Sequence, residues 1–94
     1  MIKHIVMWKF KEGSEEQMHQ FLDGLKALKG QIEYLRSLEV GVNVNPKEKF
    51  SATLICEFDN MEDLQKYAVD PRHVACQAIC KPIALERACV DFEF

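Results

Sequence analysis

Tyr67 and His73 are the two side chains in the sequence best suited to moving a proton. A phenol donates and an imidazole accepts near neutral pH, so together they could act at an enolisable carbonyl. They flank Asp70-Pro71, a pair that sets Asp70 as N-cap and Pro71 as first residue of a new helix. The chain reversal there is expected to turn the Tyr67 hydroxyl toward the imidazole. His73 then falls at about the third helical position, where the positive end of the helix dipole favours a neutral ring and the Asp70 carboxylate opposes it. The competing reading is structural, with Tyr67 packing its ring and His73 bonding a backbone group.

The other candidates are weaker. His4 lies between Ile2 and Val6 on the apolar face of an alternating segment, so it needs a buried partner or a cavity to face. His19 sits between Glu15 and Asp23 at helical spacing and reads as solvated. The four cysteines (Cys56, Cys76, Cys80, Cys89) contain no C-x-x-C pair and read as buried free thiols. His73, Cys76 and Cys80 fall at i, i+3 and i+7, within about 60° on a helix. These types suit zinc or copper, but the spacing is equally that of a core stripe, so no metal is expected. No Gly-rich phosphate loop, Ser/His/Asp set or nucleotide fingerprint is present, and no cofactor is expected.

The elements that must position these residues are legible from periodicity. Residues 2–10 alternate, with Ile2, His4, Val6, Trp8 and Phe10 sharing one face. After Gly13, Ser14 and Gln17 have capping-box spacing, and Met18, Phe21, Leu22, Leu25 and Leu28 form a helical stripe ending before Gly30. A second strand is predicted at about 36–44, with Leu38, Val40, Val42 and Val44 inward. Asn45-Pro46 opens a turn. A third strand at about 50–58 turns Phe50, Ala52, Leu54, Cys56 and Phe58 inward. Asp59 or Asn60 caps a short helix carrying Met61, Leu64, Tyr67 and Ala68. A second short helix runs from Pro71 toward Pro82. A last strand at about 86–94 is predicted to turn Ala88, Val90, Phe92 and Phe94 inward.

This order, β-α-β-β-α-β, predicts an α+β ferredoxin-like fold: one domain over 1–94, with a four-stranded antiparallel sheet and its helices on one face. Length fits one domain, since the chain has 94 residues. A net charge of −3 argues against nucleic acid as a partner. No apolar run approaches the roughly 18 residues of a membrane span. The first ten residues lack the long apolar region of a signal peptide, which predicts a cytosolic location. On the opposite sheet face the pattern sets Ile5, Met7, Ile55 and Cys89 among Lys3, Lys9, Glu57, Asp91 and Glu93. That many apolar groups predict a second subunit over this face, in a twofold dimer.

Three blocks carry a family resemblance: Ile2-Lys3-His4-Ile5-Val6-Met7-Trp8-Lys9-Phe10-Lys11, Tyr67-Ala68-Val69-Asp70-Pro71-Arg72-His73-Val74, and Val90-Asp91-Phe92-Glu93. Together they span the chain and resemble the stress-responsive dimeric α/β-barrel (Dabb) family of the dimeric ferredoxin-like superfamily. The resemblance implies a ferredoxin-like subunit that dimerises through its sheet into a dimeric α/β barrel, with an apolar cavity between sheet and helices. Some plant members are polyketide cyclases that use a Tyr and a His in that cavity. Carried over by motif, these are Tyr67 and His73, with His4 lining the same space. Where the cyclases place a further His near the start of the third strand, this chain has Ala52. The expected function is therefore a cofactor-independent cyclase, isomerase or lyase. Its alternatives are a non-catalytic stress-responsive ligand-binding or structural oligomer and, from the wider group, a cofactor-independent monooxygenase. The expected ligand is small and apolar with a polar head group, in a pocket walled by Val6, Trp8, Phe21, Leu25 and Leu54.

Overall fold

A computed structural model describes all residues, 1–94. Strand β1 spans Ile2–Phe10, helix α1 Glu15–Leu28, β2 Ser37–Val42, β3 Ala52–Phe58, α2 Met61–Val69, α3 Pro71–Cys80 and β4 Ala84–Glu93. The strands form one antiparallel sheet in the order β2-β3-β1-β4, so the two central strands come from distant parts of the chain. All three helices lie on one face. This is the ferredoxin-like arrangement, its second crossover divided into α2 and α3 at Asp70-Pro71.

The covered face holds the core. Ile2, Val6, Trp8 and Phe10 of β1 meet Ala52, Leu54, Cys56 and Phe58 of β3 beneath the helices, all of them buried. The buried residues of α1 are Met18, Phe21, Leu22, Leu25 and Leu28, the stripe that helical spacing predicts. Trp8 meets Phe21 edge to face at 5.0 Å. Helix α1 crosses α3 where Gly24 faces Cys76, and a β-carbon at Gly24 would lie only 3.1 Å from the Cys76 sulfur. Gly30, at φ +95°, turns the chain after α1 in a conformation that L side chains rarely adopt. The α1–β2 connection, for which the sequence pattern gives no element, also feeds the core through Ile32 and Leu35.

Four expectations are corrected. Ser14 occupies the N-cap position of α1, but its hydroxyl donates to the Lys11 carbonyl at 2.5 Å and forms no capping box. Its backbone, at φ −105° and ψ 21°, lies outside the extended region that aims an N-cap side chain at the first turn. Strand β2 stops at Val42, and Val42 and Val44 are exposed. Beyond it, Asn43 turns its amide onto the Asn45 and Glu48 carbonyls and closes a local loop. Phe50 precedes β3 and is only partly buried, with the Lys49 ammonium 5.2 Å from its ring centre. Met61 and Ala68 are likewise exposed on α2, leaving Leu64 and Tyr67 as its buried residues.

The largest correction concerns β4. Opposite partners in an antiparallel ladder point to the same face. Val6 pairs with Cys89 and His4 with Asp91, so Arg87, Cys89, Asp91 and Glu93 lie on the helix side. Ile5 pairs with Val90, Met7 with Ala88 and Lys3 with Phe92, which sets those apolar residues on the open face. Phe94, also predicted inward, is exposed. Alternation groups residues by face, but it does not say which face is covered. On this edge strand the apolar set belongs to the open one.

Candidate functional site

The α2–α3 junction is built to hold Tyr67 and His73 together. Asn60 caps α2 by accepting from the Asp63 amide at 2.9 Å. Asp70 caps α3 by accepting from the Arg72 amide at 2.9 Å, and its carboxylate also takes the Arg72 guanidinium and the Tyr34 hydroxyl. Those contacts, Arg72 foremost, hold the Asp70 carboxyl well below the usual carboxylate range. Arg72 reaches across to donate to the Gln31 carbonyl at 2.7 Å, tying the junction to the turn that follows α1. Tyr67 therefore leaves the last turn of α2, and His73 the first turn of α3, in fixed positions. Their rings stack at 4.1 Å between centroids with 29° between planes.

The Tyr67 hydroxyl and His73 Nδ1 are both buried without a hydrogen-bond partner. Burial pushes the Tyr67 phenol up, with the neighbouring Cys56 thiol adding to the shift, so it stays protonated. The Cys56 thiol, sealed in the core, is itself pushed up to about 12. Burial lowers the His73 imidazole, and the nearby His4 ring lowers it further. The Ala68 and Tyr67 carbonyls and the Asp70 carboxylate oppose the shift. At neutral pH the stack thus pairs a proton donor with a neutral imidazole.

His4 has the partner its position demands. Its Nδ1 lies 2.5 Å from Asp91 Oδ1 on the neighbouring strand. Sequence reasoning missed Asp91 because it set that residue on the opposite face; the pairing of β1 with β4 was the information lacking. The His4 and Tyr67 rings meet edge to face at 6.4 Å. Cys89, exposed where a buried thiol was expected, stands 3.6 Å from the same His4 nitrogen. His4, Cys89 and Asp91 are the one set of potential metal ligands whose donor atoms lie within 4.8 Å of one another. His73, Cys76 and Cys80 are buried on α3 and form no such set, Cys76 pointing instead at Gly24 of α1. His19 is exposed on α1.

His4, Tyr67 and His73 line a cavity of about 260 Å³ between sheet and helices. Val6, Trp8, Phe21 and Leu54 supply apolar wall, and His4, Tyr67 and His73 the polar part. Leu25, expected in that wall, is fully buried in the core and does not reach the cavity. Gln77 and Lys81 of the α3 end and Arg87 of β4 complete the rim, which the sequence pattern did not identify. No helix is long and apolar enough to cross a membrane.

Among solved structures, a dimeric protein of unknown function with a ferredoxin-like fold from Bacteroides fragilis superposes with a TM-score of 0.94. It is 39% identical, over 99% of this chain and 95% of that one. An uncharacterised protein of Streptomyces coelicolor is 29% identical over the full length of both. A hydroxynitrile lyase from Passiflora edulis shares the fold alone, with a TM-score of 0.83 at 15% identity over 97% of this chain and 90% of that one. The stress responsive A/B barrel domain model matches residues 2–94, three blocks of which carry the resemblance seen in the sequence, and the chain belongs to that family.

Proposed function

We propose that the protein is a homodimer, joined through the open faces of its two sheets, in which each subunit's cavity takes up a small apolar carbonyl compound. Tyr67 and His73 act on it as acid and base without a cofactor. One observation carries the reading: Tyr67 and His73, each with a buried polar atom that has no hydrogen-bond partner, both line a cavity whose lining is mostly apolar. Unsatisfied buried polar groups cost about 1–3 kcal/mol each, and a ligand that bonds to them recovers that cost. A neutral His73 takes the proton from the carbon next to the carbonyl as that C–H bond breaks. Tyr67 donates a hydrogen bond to the carbonyl oxygen as the electron pair moves onto it, and the proton then returns to a product atom. His4, its Nδ1 held by Asp91, keeps Nε2 as a second polar contact for the bound molecule. The dimer is supported by Ile5, Met7, Ile55, Ala88, Val90 and Phe92 on the open face, and by the dimeric Bacteroides fragilis relative.

Enolisation leaves a measurable trace whatever the natural product. In D₂O, the protein should exchange the protons beside the carbonyl of a small apolar ketone such as 2-octanone faster than buffer, as read by proton NMR. His73→Gln should abolish the exchange while leaving the thermal transition in place. Exchange at the buffer rate in the wild-type protein would overturn the catalytic reading.

A second reading, a non-catalytic ligand-binding protein, is favoured by the stacking itself. The two rings lie face to face instead of hydrogen-bonded to each other, an arrangement that serves packing as well as proton transfer. Ketone binding without exchange would establish it.

A further inference from the structure

The rim of the cavity carries a charge pattern at odds with the rest of the chain. The protein is acidic overall, with a net charge of −3, yet no Asp or Glu lines this cavity. Two cations do, Lys81 at the C-terminal end of α3 and Arg87 on β4. Neither forms an ion pair, so no carboxylate of the chain neutralises them at the rim. Arg87 stands on the helix side opposite Trp8, near the Cys80 and Cys89 thiols; burial pushes both thiols up, and the guanidinium opposes that shift in part. Gln77, one turn before Lys81, adds an uncharged amide to the same rim.

We infer that the cavity is selective for an amphiphilic anion, a medium-chain or arylalkyl carboxylate whose head group docks between Lys81 and Arg87 and whose apolar body lies against Val6, Trp8, Phe21 and Leu54. This inference rests on the proposed ligand cavity and narrows its ligand to an acid, an oxo acid where the Tyr67/His73 chemistry applies. The volume limits the size. At the roughly 30 Å³ that a water molecule occupies, 260 Å³ holds about nine non-hydrogen atoms. An eight-carbon acid therefore fills it with the carboxylate at the rim. A guanidinium and an ammonium without competing carboxylates are suited to such a head group, Arg87 by a bidentate fork and Lys81 as a point charge. Because the rim is open to solvent, the attraction is screened and weakens as salt is added.

Octanoate and 1-octanol, alike in chain length and different in charge, separate this inference from the reading beneath it. Titrated into the intact protein at low salt and followed by calorimetry, octanoate should bind about tenfold more tightly than octanol, a preference that added salt erodes. The double variant Lys81→Gln/Arg87→Gln, both positions being exposed, should keep its circular dichroism spectrum and its octanol affinity and lose the preference. Equal affinities in the wild-type protein, or a preference that survives in the double variant, would overturn the inference and leave the apolar cavity intact. Binding of neither compound would overturn the cavity reading and this one with it.

Discussion

The two faces of the sheet are drawn from the same strands, and both carry apolar side chains, but within the subunit only one is covered. On the helix side Val6, Leu54, Cys56 and Phe58 are no more than 1% exposed. On the other, Met7 is 38% exposed, Val90 55% and Phe92 43%. What separates core from surface here is therefore not residue type but what lies above it. The candidate site sits where the cover runs out. Central β1 and β3 are roofed by helices, while edge strand β4 projects past them. There Asp91 meets His4, Arg87 reaches the rim, and the space between sheet and helices stays open as a cavity.

This contrast can be broken at several points. Phe21→Ala removes the ring that packs on Trp8 under the roof, and should cost about 3–5 kcal/mol in chemical denaturation at fixed protein concentration. A cost below about 1 kcal/mol would show that the covered face is not the core that burial implies.

Val90→Asp on the open face should instead leave the circular dichroism spectrum unchanged. In light scattering it should halve the mass from two chains to one, with association weakened by about 2 kcal/mol or more. An unaltered dimer, or a wild-type monomer, would remove the open face from the proposed interface.

Asp91→Ala, at the boundary between the faces, deprives His4 of its partner. With the Asp91 side chain 30% exposed, the loss should be about 1 kcal/mol. No loss at all would mean that water replaces the carboxylate at little cost.

The His73 contribution should appear as a pH slope. Burial lowers its folded pKa below the ordinary 6.5, so on acidification the unfolded chain takes up the proton first. Stability from this group is full above the unfolded value and declines as pH falls through it toward the folded one. His73→Gln should flatten the stability curve between about pH 7 and 5, and an unchanged curve would locate the titration elsewhere.

The smallest effect is expected from Tyr67→Phe. Deleting an unpartnered hydroxyl should leave stability unchanged or raise it by up to about 1 kcal/mol, while ketone exchange is lost. A clear destabilisation would reveal a bond that the hydroxyl makes.

Much of this architecture is legible in local chemistry alone. The α1 stripe from Met18 to Leu28, the alternation of β1 and β3 and the Asp70-Pro71 helix start each depend on contacts within a few residues. Periodicity and capping report such contacts directly. Their order along the chain was enough to give the ferredoxin-like sheet. The Tyr67-to-His73 block carried the pair across the helix junction for the same reason, its geometry being set by seven residues of chain. Tertiary structure alone decided which face of β4 is roofed, because that depends on register against β1, eighty-odd residues away, and on a bulge between Lys9 and Phe10. A shift of one residue in such a pairing exchanges every side chain between faces. With the register fixed, Asp91 came to His4, Val90 and Phe92 went to the open face, and Lys81 and Arg87 met at one rim. None of these juxtapositions is written in local sequence, since each joins side chains that only the closed sheet brings together.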